Sequence, residues 1–134
     1  MRITLAVRKE RAEAAKEKTD REAALRTAAR LIANEFLRAR TVANIAIEHR
    51  QWVADAKLPL DGWRSGRTII ARELPYHDWR AVETAALVVE HFELFHSFPR
   101  KGDEVEEHVA KAVDPIIKDI TAGLDALRPY VLDK

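Results

Sequence analysis

Apolar positions in the first half of the chain fall into two regimes. From Leu25 onward, Leu25, Ala28, Ala29, Ile32, Phe36, Ala39, Ala43, Ala46 and Ile47 recur at three- and four-residue steps, the signature of one helix face. Leu31, Val42 and Ile45 lie beside that stripe, and an arc this wide predicts contact with more than one neighbouring helix. Upstream the pattern disappears. From Arg8 to Glu22, 11 of 15 residues are charged, and the rest are Ala and one Thr. No Gly or Pro occurs between Met1 and Leu58, so both regimes are expected on one helix that frays near Trp52 to Ala56.

Breakers then divide the chain. Lys57 to Leu60 reads as a loop, and Asp61 as the N-cap of a short helix from about Gly62 to Glu73 anchored by Trp63, Ile70 and Leu74, with Ile69 beside them. Pro75 opens a third helix running from about Tyr76 to Ser97. Trp79, Ala81, Val82, Ala85, Ala86, Val88, Val89, Phe92 and Phe95 share one broad arc of it. Pro99 to Gly102 reads as a turn. Asp103 with Glu106 resembles a capping box for a last helix carrying Val105, Val109, Ala112, Ile116, Ile120, Leu124 and Leu127 on one face. Pro115 is expected to kink that helix, which should end before Pro129.

The expected fold class is all-α, a helical bundle of three long helices and one short helix, with a long charged N-terminal helix that projects or pairs. Residues 1–24 form the charged arm and residues 25–134 the bundle domain. A first helix of about 50 residues would extend some 75 Å. A domain of this size is only about 35 Å across. Part of that helix must project or find a partner.

Composition narrows the function classes. The 134 residues include no Cys, which removes disulfides, thiol catalysis and Cys-ligated metal. No stretch reads as a signal peptide or a membrane span, so the expected location is the cytoplasm. The net charge is +1, but residues 1–80 carry +6 and residues 81–134 carry −5. That polarity is mild, and acids interleave the bases of the first helix.

The segment Ala29-Arg30-Leu31-Ile32-Ala33-Asn34-Glu35-Phe36-Leu37, followed by Leu60-Asp61-Gly62-Trp63, Ile70-Ala71-Arg72-Glu73-Leu74 and Asp78-Trp79-Arg80-Ala81-Val82, resembles a type of uncharacterised helical domain common in actinobacterial genomes. The resemblance spans Ala28 to Tyr130, about three quarters of the chain. It implies a helical fold and carries no catalytic or binding residue with it. Some similar sequences place a membrane helix before the domain; this chain has the charged helix there instead.

Little in the sequence suggests chemistry. Glu93 and His96 have the Glu-x-x-His spacing of a di-iron bundle helix, but no second such pair exists, and a half-buried histidine explains His96 as well. Glu104 and His108 stand at i,i+4 and would add ligands only if they faced Glu93. Ser65-Gly66 follows no strand and so lacks a nucleophile elbow. Gly62 to Gly66 lacks the Gly-Lys-Ser/Thr of a phosphate loop. Ser97 and His96, adjacent on a helix, point apart. Accordingly the sequence assigns no enzyme activity, cofactor, metal or small-molecule substrate.

Surfaces for a partner are the better candidates. Leu5, Ala12 and Thr19 stand at heptad spacing along the arm, and Leu87 and Leu94 at heptad spacing on the third helix among Arg80, Glu83, Glu90 and His91. They suit a homo-oligomer or another helical protein. The alternative is a nucleic-acid-associated accessory protein using the basic arm, with Arg64, Arg67, Arg72 and Arg80 near Trp63 and Trp79 as a second basic group. A metal-binding bundle at Glu93 and His96 is a third.

Overall fold

The computed structural model describes residues 5–53, 57–97 and 104–132, with the side chains of residues 95–97 left aside. Four helices make up the fold: α1 (Leu5–Glu48), α2 (Asp61–Glu73), α3 (Tyr76–Ser97) and α4 (Glu107–Val131). There are no strands among the described residues; only an isolated bridge joins Gln51 to Glu104. The fold is an all-α bundle, as the apolar periodicity predicts.

α4 lies between α1 and α3 and packs on both, while α2 packs chiefly on α1. α1 and α4 run antiparallel. At one end Arg30 Nε donates to the Val131 carbonyl at 3.4 Å; at the other the Val105 N–H donates to the Arg50 carbonyl at 2.8 Å. The core holds Ile32 and Phe36 of α1, Ile70 of α2, Val82, Val89 and Phe92 of α3, and Ile120 and Leu127 of α4, all fully enclosed. Trp52 closes the far end with its ring 6.2 Å from that of Phe92.

Small residues let the helices approach closely. A Cβ added at Gly123 would collide with the Cβ of Ala85, so α4 and α3 meet backbone to backbone there. A Cβ at Gly66 would come within 2.9 Å of the Ala28 Cβ, and one at Gly62 within 2.9 Å of the Leu31 Cβ. The two glycines thus seat α2 antiparallel on α1, which is the role of the Gly62 to Gly66 segment.

Several boundaries differ from the sequence expectation. α1 ends at Glu48, because Arg50 turns the chain in the left-handed region at φ 51°. Its 44 residues span about 66 Å. Pro75 sits one step before α3, its carbonyl accepting the Trp79 N–H at 2.9 Å. α4 is one helix with both Pro115 and Pro129 inside it, ending at Val131 and not before Pro129. Its buried face is Ala110, Val113, Ile120, Gly123 and Leu127, while the expected Ala112 is exposed. Ala110 and Val113 displace Ala112 because α4 is gripped from two sides, by α1 and by α3. The expected cap Asp103 lies outside the described residues, and Glu106 occupies the cap position with no side-chain cap bond.

Candidate interaction surfaces

The arm is the largest exposed element. Every residue from Leu5 to Ala23 is exposed, and the first buried residue of α1 is Ala28. The helix nevertheless continues unbroken, because Ala, Lys, Glu and Arg lose little on entering a helix. Leu5, Ala12 and Thr19 all point to solvent, with Leu5 84% exposed. The Thr19 hydroxyl turns back to its own helix and donates to the Ala15 carbonyl at 3.0 Å. The spacing suggests i,i+4 ion pairs such as Lys9–Glu13 and Glu17–Arg21, yet none is closed to within 4 Å among the described residues.

On α3, Leu87 is 51% and Leu94 62% exposed, flanked by exposed Arg80, Glu90 and His91. Arg80 reaches Glu83 at 3.6 Å. The two predicted surfaces are not brought together. The arm leaves the end of the bundle where Tyr130 packs near Leu25, whereas Leu94 lies past Phe92, towards Trp52 at the other end.

An open groove of about 360 Å³ runs between α1 and α2, lined by Ala23, Ala24, Thr27, Ala28, Leu31, Ser65, Gly66 and Ile69. Leu31 reads from the sequence as flanking the core stripe, but it stands 48% exposed at this groove. The reason is Gly62: its missing side chain lets α2 sit against the Leu31 Cβ, so the rest of Leu31 is turned outward.

Asp61 does not cap α2. It is exposed, and among the described residues it pairs with Arg64 at 3.6 Å. The cap comes from α1: the Glu35 carboxylate accepts the Gly62 N–H through Oε2 and the Trp63 N–H through Oε1, both at 2.9 Å. A carboxylate here meets two helix-end donors that lack partners within their own helix, and the positive end of the helix dipole. Sequence inspection overlooks it because cap signals are sought next to the helix, and Glu35 lies 27 residues upstream of Gly62.

The basic group near the tryptophans is largely engaged. Arg64 pairs with Asp61, Arg72 with Glu73 at 3.2 Å, and Arg80 with Glu83. Trp63 and Trp79 stack on one another, with centroids 5.5 Å apart and planes at 19°; Trp63 is buried and Trp79 half-buried. Tyr130, half-buried near the arm, has its phenol pushed above the usual value of 10.0 by burial, with the Asp78 charge adding to the effect.

Glu93 is half-buried on α3; the side chain of His96 lies outside the described residues. His108 sits 3.3 Å from Glu106, at the surface. Among the described residues no three His, Asp or Glu side chains converge in a way that would hold a metal ion. No helix among them is long and apolar enough to cross a membrane. No family model, curated protein or solved structure matches the chain.

Proposed function

We propose that the protein is a non-enzymatic helical interaction module that self-associates through its charged arm. One observation carries the reading: α1 continues for about five turns beyond the bundle with every residue from Leu5 to Ala23 exposed. A helix that buries nothing is stable only through its own propensity or through a partner. Leu87 and Leu94 offer a second, smaller surface on α3 for another helical protein.

Light scattering on the full chain and on a chain starting at Thr19 tests the reading. The expected result is a dimer for the full chain and a monomer for the shortened one. Two monomers would overturn it. Retention of a monomeric full chain on duplex DNA at low salt would favour the nucleic-acid alternative instead.

A further inference from the structure

The self-association reading leaves open which way two arms would run, and the arm's own charge pattern decides it. At 100° per residue, Leu5, Ala12 and Thr19 drift slowly around one face, and Ala23 returns to the angle of Leu5. Lys9, Lys16, Glu13 and Asp20 flank that face on one side. Arg8, Ala15 and Glu22 flank it on the other. In an antiparallel pair each flank meets the same flank of the second copy, whereas in a parallel pair each meets the opposite flank.

We propose that the arm pairs antiparallel with the arm of a second copy of this chain, in a register centred on Ala15. In that register position i stands level with position 30 − i. Arg8 then faces Glu22 of the second copy on one flank. On the other, Lys9 comes within one position of level with Asp20, and Glu13 within one of Lys16, while the strictly level Arg21 and Glu17 lie round the helix away from the seam. Ala12 and Thr19 meet across the seam, where small side chains allow the two helices to lie close. By symmetry each charged pair forms twice. The parallel arrangement would instead set Lys9 beside Arg8 of the second copy at one end of the contact and Asp20 near Glu22 at the other, like against like at each end.

An independent feature fits the same register. Leu5, at 84% exposure the most exposed large apolar residue described, comes level with position 25 of the second copy. Its neighbours there on the seam are Ala23 and Thr27, and both line the open groove between α1 and α2. The register that matches charges therefore also gives Leu5 an apolar seat at the mouth of that groove.

The natural chain has no Cys, so single cysteines report the register directly. A disulfide needs Cα atoms within about 7 Å. Ala12→Cys and Thr19→Cys chains are prepared separately, then exposed to oxidised glutathione alone and after mixing, with light scattering alongside. The expected result is a disulfide-linked dimer in the mixture and none in either variant alone. Linkage within each variant alone means parallel arms and overturns the inference. A dimer by light scattering with no linkage in any sample places the contact elsewhere, and overturns this inference while leaving self-association standing. Monomers throughout overturn both. Arg8→Glu should raise the dimer dissociation constant at least tenfold, and Arg8→Glu with Glu22→Arg should restore it; an unrestored double variant counts against the register.

Discussion

Replacing Glu35 should loosen α2 although Glu35 is not part of α2. Its carboxylate accepts two N–H groups at 2.9 Å, from Gly62 and Trp63. Removing a capping side chain costs about 0.5–2 kcal/mol, and a hydrogen bond to a charged group contributes about 1.5–3 kcal/mol when well enclosed. Glu35 is half-buried, which places Glu35→Ala near the top of the capping range, at about 2 kcal/mol. At this chain length that corresponds to a loss of roughly 8 °C in Tm. Glu35→Gln keeps one acceptor oxygen and loses the charge, so about 1 kcal/mol is expected. Asp61→Ala, the substitution that local sequence reading would choose, should cost about 0.5 kcal/mol or less, because its only described contact is an exposed ion pair with Arg64. Urea unfolding followed by circular dichroism, and by tryptophan fluorescence, measures all three. Equal losses for Asp61→Ala and Glu35→Ala, or a Glu35→Ala variant as stable as the natural chain, would refute the assignment of the cap to α1.

Two further predictions concern packing and pH. Gly123→Ala should destabilise by about 1–3 kcal/mol in urea unfolding despite the better helix propensity of Ala, because the new methyl group collides with the Ala85 Cβ on α3; adding Ala85→Gly should recover part of the loss. The Tyr130 phenol titrates above 10.0 in the folded state, so its contribution to stability is complete below the unfolded value and is lost as pH rises through the folded one. The phenolate absorbance of the natural chain minus that of Tyr130→Phe should show a midpoint above 10.0, and Asp78→Asn should move it down.

Long periodic segments were readable from the chain, and short-range chemistry was not. The α3 boundaries at Tyr76 and Ser97 follow from Pro75 upstream and Pro99 downstream, two residues with strong local effects. The α1 stripe from Ala28 to Ala46 is buried as its periodicity requires, since about five turns of one pattern leave little choice of face. On α4 the same reasoning misplaced Ala112, because a helix held between two neighbours has no single apolar face for a wheel to find. The exposed positions of Leu5, Ala12, Thr19, Leu87 and Leu94 were legible as apolar or small residues off the core arcs. Leu31 and the groove beside it were not, since they depend on how closely two glycines let α2 approach. Glu35 was hidden for a different reason: a cap supplied from another helix leaves no local spacing to recognise.

The continuity of α1 has a kinetic consequence. Starting a helix costs far more than extending one. No residue of the arm from Leu5 to Ala23 is buried, but the arm does not have to start itself: the packed turns from Ala28 onward provide a formed end on which Ala24, Ala23 and the charged residues before them can add turn by turn. One helix should therefore show two exchange regimes. Amide hydrogens around Ala39 to Ala46 should exchange only when the whole bundle opens, while those from Lys9 to Glu22 should exchange through local opening of the arm that stops at Leu25. A variant that loosens the bundle around Ile32 and Phe36 would then melt the arm as well, at a distance of many turns, without altering any residue of the arm.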